Sequence, residues 1–307
     1  MLIFKRLFVM LLLCAFGLAL LPGSALAQDA PAMPQVRTAE DPLQAPVWAA
    51  QWGQPGWGSF AATSLLLGGA LAMNIGFDNY AEPRWRGPIL ADRFLHESLR
   101  ASTPEGMELA GHISDILLGS LIAAPLVVEP GLLYLKGDDA TAAGRLALVN
   151  AQSMALVLFT TSAIKYAVAR QRPPIGECWD DPTSDESCAR REAVSFPSGH
   201  TSMAFVGAGL ICMNHEVFSP LENAWDNVAC YTALGAALST GVLRMVAHQH
   251  YSTDVLIGAA LGLAAGYVLP KVLYFGLDDG DPFFADDDAA LTPTSAPIQL
   301  LSFSSVW

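Results

Sequence analysis

Six stretches without a charged residue recur along the 307-residue chain. Each is rich in Ala, Gly and Leu and lacks sustained period-two alternation, and Pro and Gly lie mostly between the stretches, which is typical of helices rather than strands. They cover 57–77, 116–128, 146–164, 201–214, 227–243 and 255–270. The sequence therefore predicts an all-α bundle of about six core helices without an internal repeat.

Hydrophobic residues make up 52% of the chain and charged residues only 15%, so the bundle is either embedded in a membrane or unusually apolar. A membrane-crossing helix needs about 20 mostly apolar residues. The stretch 116–128 is shorter, contains Pro125 and is flanked by Asp115 and Glu129, so we expect it not to cross. The remaining stretches give five crossings. A helical bundle lying wholly in the periplasm is the alternative.

Both ends of the chain differ from this middle part. Residues 1–27 begin with Lys5 and Arg6, continue with an apolar run and end in Ala-Leu-Ala, the pattern of a secretory signal peptide; an uncleaved anchor helix is the alternative. A Pro-, Ala- and Trp-rich arm follows at 28–56, and it either marks a membrane interface or packs on the domain. The predicted helical domain covers 57–275, and a solvated acidic tail covers 276–307, with six aspartates between 278 and 288.

Charge and cysteine content agree with an exported protein. The formal net charge of −13 disfavours a nucleic-acid binder, which needs a basic surface. Cys178 and Cys188 bracket a polar segment and are candidates for a disulfide in an oxidising compartment, whereas Cys212 and Cys230 lie in apolar helical sequence and are expected to be unpaired.

The crossings and charges together predict an orientation. With a cleaved leader and two crossings before Lys165, the segment after Lys165 lies outside, where Cys178 and Cys188 can be oxidised. The basic residues of the connecting segments then lie inside, as the positive-inside rule favours. These residues are Arg84, Arg86, Arg93, Arg100, Lys136 and Arg145.

Two of three short motifs place basic or imidazole groups at predicted helix ends. Lys165 and Arg172 are seven residues apart, which is two helical turns, so a continuing helix carries both on one face before Pro173 ends it. The motif Pro-Ser-Gly-His at 197–200 precedes an apolar helix, where Ser198 can act as a cap and free N–H groups can bind an anion. Basic helix ends are also common without any catalytic role.

The third motif joins two apolar helices and runs from Arg244 to Asp254. His250 and Asp254 are four residues apart, so on a helix the carboxylate can orient the imidazole and leave its other nitrogen as a nucleophile. His248 and His250 with Asp254 could alternatively bind a metal ion. Nearby cations disfavour that, so no metal or other cofactor is expected.

In order and spacing, these motifs resemble the signature of the type-2 phosphatidic acid phosphatase and vanadium haloperoxidase superfamily. That signature is Lys, six residues, Arg-Pro; Pro-Ser-Gly-His; and Ser-Arg, five residues, His, three residues, Asp. The resemblance covers about 146–275 and departs at Leu243, where the family usually has Ser. It implies the family's helical bundle, with substrate phosphate bound by Lys165, Arg172, Ser198, Gly199 and Arg244.

The resemblance also implies the catalytic roles. His250 would attack phosphorus to form a phosphohistidine, Asp254 would orient His250, and His200 would protonate the leaving group and then activate water. Arg170 has no implied role and is expected to be a surface charge.

The expected function is an exported phosphatase, without cofactor, that acts on phosphomonoesters or pyrophosphates. Its most plausible partners are lipid phosphates, resembling phosphatidate or isoprenyl diphosphates, in a membrane. A soluble periplasmic acid phosphatase and a vanadate-dependent haloperoxidase remain as alternatives, together with a non-catalytic phosphate-binding protein.

Overall fold

The computed structural model describes residues 48–76, 83–137, 139–173, 193–221 and 224–276. The predicted signal peptide, most of the arm, the candidate pair Cys178 and Cys188, and the acidic tail after Gly276 lie outside the described residues. Nothing in the structure bears on those predictions.

The all-α prediction is confirmed, since the described residues form helices and loops with one isolated bridge between Trp85 and Arg170. We label the α-helices in chain order: α1 (Trp57–Gly76), α2 (Asp92–Leu99), α3 (Pro104–Ala123), α4 (Glu129–Gly137), α5 (Ala140–Val168), α6 (Gly199–Phe218), α7 (Ala224–Val246) and α8 (Ser252–Leu263). The short amphipathic α2 was not among the predicted helices. Two further π-helical turns, Ala264–Val268 and Lys271–Phe275, extend α8.

Polar side chains begin several of these helices. The side chain of Thr103 accepts a hydrogen bond from the N–H of Gly106 at the start of α3, where Pro104 occupies the first turn. Asp139 accepts from the N–H groups of Thr141 and Ala142 at the start of α5. These caps bind N–H groups that have no partner within the helix.

The prediction that 116–128 is a separate helix too short to cross a membrane was wrong. A π-helical turn, Ala124–Val128, joins α3 to α4, and the whole run Pro104–Gly137 is long and apolar enough for a membrane span. The turn accommodates Pro125, whose carbonyl accepts a hydrogen bond of 2.6 Å from Asn150. Glu129 is buried and accepts a hydrogen bond from Asn214, so this charge does not end the helix.

Helix α6 lies at the centre of the bundle, and most of its residues are buried. Close backbone contacts make this central position possible: a Cβ at Gly207 would collide with the carbonyl oxygen of Leu121, and one at Gly266 with that of Val206. The sequence predicted a membrane span here. In the described part of the chain, the helical runs suited to a span do not include α6; they are Trp57–Ile75, Pro104–Gly137, Ala140–Val168, Ala224–Val246 and Ser252–Phe275.

Successive long helices run in alternating directions. Near its end, α1 meets α5 through a hydrogen bond of 2.8 Å from Asn74 to Ser162, whereas Ser59 near its start is 3.0 Å from the hydroxyl of Tyr274 at the other end of the bundle. Three helical runs, rather than the two predicted crossings, therefore separate the start of α1 from Lys165. The predicted topology placed the start of α1 and Lys165 on one side of a membrane, and it was wrong for a bundle in which all three of these runs cross.

The described part of the arm packs on the domain, as one of its two interpretations predicted. Trp48 is only 6% exposed, and its ring lies 6.1 Å from that of Phe218 and 5.4 Å from that of Phe275. We call this side of the bundle the arm end. The opposite side, where α5 and α7 finish and α6 and α8 begin, is the site end.

The expectation that Cys212 and Cys230 are unpaired was also wrong. The structure contains a disulfide between them that links α6 to α7, with the two Cα atoms 4.4 Å apart. The two helices pack side by side, and that packing brings together two cysteines that are 18 residues apart in the chain.

Candidate active site

The eight predicted site residues meet at the site end of the bundle. Lys165 lies in the last turn of α5 and Arg244 in that of α7, whereas Gly199 and His200 begin α6. His250 precedes α8, and Asp254 is in its first turn. The remaining two are Ser198, the N-cap of α6, and Arg172, which follows α5. Four chain segments thus supply one site.

The first turn of α6 faces the Lys165 side chain. Ser198 is buried, and its Oγ accepts hydrogen bonds from the N–H of Thr201 at 3.4 Å and from the hydroxyl of Thr201 at 2.9 Å. A Cβ at Gly199 would lie 3.1 Å from the Nζ of Lys165. Glycine therefore lets the helix start approach this ammonium group closely, which suits both for binding one anion.

The hydrogen bonding of His250 identifies its tautomer. The imidazole is buried, and its Nδ1 lies 2.8 Å from the carbonyl oxygen of Ser195. Because a carbonyl only accepts, Nδ1 carries the proton and Nε2 keeps its lone pair. Burial, together with the positive charges of Arg172 and Lys165, lowers the pKa of His250 to about 3 against the opposing effect of Asp254. The imidazole is therefore neutral at physiological pH.

Asp254 supports His250 less directly than the sequence suggested. Its Oδ2 lies 3.6 Å from Nδ1 of His250, and the backbone of Ser195 occupies the direct hydrogen-bonding position. The carboxylate accepts hydrogen bonds of 2.6 Å from the Ser195 hydroxyl and 2.9 Å from the N–H of Tyr251. It therefore orients the loop around the imidazole as well as influencing the ring's charge.

The expectation that Arg170 is a surface charge was wrong. Its side chain is fully buried, and its guanidinium donates to Asp254 at 2.5 Å and to Asp92 at 2.7 Å. A guanidinium is buried only when its charge is matched, and two carboxylates match it here. The sequence reasoning missed both ion pairs because Asp92 lies 78 residues before Arg170 and Asp254 lies 84 residues after it.

Asp115 is a further residue that the sequence did not identify as part of the site. Its Oδ1 lies 3.0 Å from Nε2 of His200 and 3.1 Å from Nη1 of Arg244. Arg244 also donates to the Ser114 hydroxyl at 3.0 Å. A lone carboxylate within apolar helical sequence was the signal that could have revealed Asp115, because such residues are usually functional.

The alternative metal site is not assembled. The ring of His248 stacks on that of His96, with centroids 4.6 Å apart, whereas His250 turns toward Ser195. Among the described residues, no group of three His, Cys, Asp or Glu side chains is placed to hold a metal ion.

This arrangement suits a tetrahedral anion next to a neutral nucleophile. Lys165, Arg172 and Arg244 supply positive charge, and the start of α6 supplies N–H groups, so an anion can be bound from several directions. His250 provides a lone pair and His200 an ionisable group that is hydrogen-bonded to a carboxylate. These are the components needed for transfer of a phosphoryl group.

Comparisons with known proteins agree with the motif analysis. The chain is 37% identical to a lipid A 1-phosphatase of Porphyromonas gingivalis over 123 residues. This match covers 40% of the chain and 23% of that relative. It is 33% identical to a probable diacylglycerol pyrophosphate phosphatase of Schizosaccharomyces pombe over 88 residues. This match covers 27% of the chain and 32% of that relative. The chain thus spans less than a third of the length of either relative.

The chain is also similar to a solved structure, that of a transmembrane PAP2-type phosphatidylglycerolphosphate phosphatase from Bacillus subtilis. The alignment covers 70% of this chain and 95% of the Bacillus subtilis chain, with 19% sequence identity and a TM-score of 0.46. The family model of the PAP2 superfamily matches residues 146–276. All eight predicted site residues lie inside that range, whereas Asp92 and Asp115 precede it. Residues 146–276, which hold the whole predicted site, are therefore similar to a PAP2 superfamily domain.

Proposed function

We propose that the protein is a membrane phosphatase that hydrolyses phosphomonoesters or pyrophosphates of lipids through a phosphohistidine intermediate. The observation that carries this proposal is the hydrogen bond from Nδ1 of His250 to the Ser195 carbonyl. It leaves Nε2 with its lone pair beside Lys165 and Arg172, where a phosphate group would bind.

The reaction takes two steps. Nε2 of His250 attacks phosphorus in line with the leaving oxygen, which takes a proton from His200 as its bond to phosphorus breaks. Lys165, Arg172, Arg244 and the first turn of α6 offset the negative charge on the phosphoryl oxygens. His200, now neutral, removes a proton from water, and that water attacks the phosphohistidine. The N–P bond breaks, and phosphate leaves.

Lipid substrates are supported by the surface around the site. Helix α2 and the segment before it lie next to the site through Arg170. They present Leu90, which is 91% exposed, and Phe94, which is 71% exposed. Large exposed apolar groups at the end of an apolar bundle suit the interface of a membrane. The two curated relatives, named for lipid A and for diacylglycerol pyrophosphate, support the same substrate class.

The test is phosphate release from phosphatidate, an isoprenyl diphosphate and a soluble aryl phosphate, with EDTA present. The wild type is compared with His250→Ala, and His112→Ala is the control because that histidine is exposed and pairs with Glu108 on the helix surface. We expect turnover of lipid substrates that resists EDTA, disappears in His250→Ala and persists in His112→Ala. Acid quenching should trap labelled phosphohistidine in the wild type alone.

Three outcomes would contradict the proposal. Turnover that survives His250→Ala would remove the nucleophile, and a preference for the soluble ester would favour the acid phosphatases of the family. Bromination by peroxide with added vanadate, in a protein that hydrolyses none of the three esters, would identify a haloperoxidase instead.

The proposed location is the membrane of the cell envelope, with the site facing the periplasm. This orientation rests on the candidate pair Cys178 and Cys188, which follows Arg172 closely in the sequence and needs an oxidising compartment. With three crossings before Lys165, the arm then faces the cytoplasm. A signal peptide cleaved after Ala27 would instead leave the arm outside and turn the site toward the cytoplasm. Labelling from one side of the membrane decides between these two orientations.

A further inference from the structure

Arg170 is a fully buried charged side chain at the site end. Its guanidinium lies between the ring of Trp85, 4.1 Å from the centroid, and the ring of Tyr251, at 4.3 Å. It also donates to Thr253 at 2.7 Å and to the carbonyl of Gly87 at 3.1 Å. Stacking and hydrogen bonds together fix the plane of this group, so its two carboxylate partners are fixed as well.

Asp92 anchors Arg170 from outside the matched domain. Its carboxylate accepts 2.7 Å hydrogen bonds from Arg170 and from the Ser252 hydroxyl, 2.8 and 2.9 Å bonds from the hydroxyl and N–H of Thr253, and a 3.0 Å bond from the N–H of Ile89. Burial raises the pKa of Asp92, but these donors outweigh it and lower the pKa to about 2. Asp92 is therefore a permanent anion at the start of α8.

Arg170 supports both groups that contact Nδ1 of His250. Its side chain holds Asp254, whose Oδ2 lies 3.6 Å from that nitrogen. Its own carbonyl accepts a hydrogen bond of 2.9 Å from the N–H of Ser195, and the carbonyl of Ser195 accepts from Nδ1. One residue thus fixes the direction of the imidazole from two sides.

We propose that Arg170 and Asp92 are positioning residues that hold Asp254 and Ser195 so that Nε2 of His250 points at phosphorus. The inference rests on the proposed phosphohistidine mechanism. Neither residue touches substrate, so the pair acts through the geometry of His250. A displacement of about 1 Å at a nucleophile costs up to about a hundredfold in rate, which makes such support measurable.

Two variants test this proposal without introducing a large cavity. Asp92→Asn keeps the shape of the side chain but removes its charge, and Arg170 and Asp254 lie between this position and His250. Arg170→Lys keeps the positive charge but cannot bridge two carboxylates with a planar group. We expect each to lower kcat by about ten- to a hundredfold while KM changes less than about twofold, because the loss falls on the transition state.

Two direct readouts separate positioning from folding. In single-turnover experiments with acid quench, the rate of phosphohistidine formation should fall by the same factor as kcat. Vanadate, which mimics the five-coordinate transition state, should inhibit the variants less tightly by a similar factor, whereas inhibition by phosphate should change little.

The control is Glu216→Gln, which removes the 2.6 Å ion pair between Glu216 and the buried Lys271. Glu216 lies sixteen residues after His200 on α6, about 24 Å along the helix, so its loss tests stability alone. We expect a lower Tm with unchanged kcat, phosphohistidine formation and vanadate inhibition.

The proposal is wrong if Asp92→Asn lowers Tm but forms phosphohistidine at the wild-type rate. If Arg170→Lys does not fold, the rate of phosphohistidine formation in Asp92→Asn alone tests the positioning proposal. Loss of activity in His250→Ala, combined with normal chemistry in Asp92→Asn, would overturn positioning and leave the proposed mechanism intact. Activity retained by His250→Ala would instead overturn the mechanism itself.

Discussion

Asp115 contacts two groups on which the proposed chemistry depends. A single carboxylate oxygen accepts from His200 at 3.0 Å and from Arg244 at 3.1 Å. The carboxylate opposes the effect of burial, which lowers the pKa of His200 to about 4, and it holds both side chains at the same place. Proton donation to the leaving group and charge stabilisation are therefore linked through Asp115.

We predict that Asp115→Asn lowers kcat/KM for a lipid phosphate by about tenfold or more, since general acid catalysis contributes about a hundredfold or more. Glu108→Gln is the matched control, because Glu108 is exposed on the same helix and also pairs with a histidine, His112, at 3.4 Å. Steady-state phosphate release measures both. Equal activity of Asp115→Asn and Glu108→Gln would exclude a role for Asp115 in the chemistry.

The low pKa of His250 predicts the pH dependence of activity. Because burial and neighbouring cations lower this pKa to about 3, the nucleophile stays unprotonated well below pH 6.5. Titration of His250 should therefore cause no fall in the rate of phosphohistidine formation between about pH 6.5 and pH 4, once the titration of the substrate is corrected by ³¹P NMR. Protonation of His200, the proposed acid, should raise the rate as the pH falls through this window. A decline centred near pH 6.5 would show that His250 is not held in this environment.

The same shift predicts lower stability in acid. Unfolded His250 binds a proton below about pH 6.5, whereas the folded protein binds it only near pH 3, so protonation favours the unfolded chain between these values. The free energy of unfolding contributed by this group falls as the pH falls through that window. Thermal unfolding in detergent should show a smaller acid sensitivity in His250→Ala than in the wild type.

The sequence identified the residues proposed to bind the substrate, but not the carboxylates that contact them. Lys165, Arg172, Arg244 and His250 have characteristic spacings because each occupies a fixed turn of a helix end. Asp92 and Asp115 reach the site from other helices, and their roles depend on tertiary packing that no local spacing encodes. Sequence reasoning at this scale therefore finds residues in a local motif better than contacts between distant helices.

At the scale of elements, the tightest contacts are between α6 and its neighbours. Gly207 permits the crossing of α3 over α6, where a Cβ would collide with the carbonyl of Leu121. Such an approach needs glycine because backbone atoms cannot move aside as a flexible side chain can. His200 lies two turns before this crossing on α6, so displacement of the helix would also affect the site.

We predict that Gly207→Ala destabilises the protein by about 1–3 kcal/mol, as overpacking usually does. Gly144→Ala is the matched control on α5, because a Cβ at Gly144 has no atom within 4 Å and alanine is the better helix former. The measurement is Tm in detergent. A Tm for Gly207→Ala equal to that of Gly144→Ala would show that the two helices do not cross this closely.

The sequence predicted that the main helices exist but not how they join or pair. Apolar runs gave six helices, yet Pro125 and Glu129 suggested a boundary that the π-helical turn and the contact with Asn214 remove. The disulfide between Cys212 and Cys230 depends on the relative rotation of α6 and α7, which apolar composition does not specify. Both errors came from interactions between helices.

At the scale of the whole molecule, alternating helices separate the arm end from the site end. The predicted inside charges divide between these ends: Arg84 and Arg100 flank α2 at the site end, whereas Lys136 and Arg145 lie where α4 meets α5 at the arm end. The sequence placed all these charges on one side because it counted two crossings before Lys165, whereas the structure has three helical runs there. Which side of the membrane each charged segment faces therefore depends on how many helices cross before it.

We predict that Gln54→Cys and Glu97→Cys lie on opposite sides of the membrane. A maleimide that cannot cross membranes should label Glu97→Cys in intact spheroplasts, label Gln54→Cys only after permeabilisation, and label the unsubstituted chain at background level. Labelling of both before permeabilisation would contradict the three crossings. Labelling of Gln54→Cys alone would keep the crossings but turn the site toward the cytoplasm.

The separation of the two ends has a practical consequence for reconstituted protein. In sealed proteoliposomes with mixed orientations, a protease added outside reaches the arm only on those molecules whose sites face the lumen. Substrate added outside reaches only the other molecules. Proteolysis of the arm should thus leave the measured rate unchanged until the vesicles are opened, so each orientation can be counted separately in one preparation.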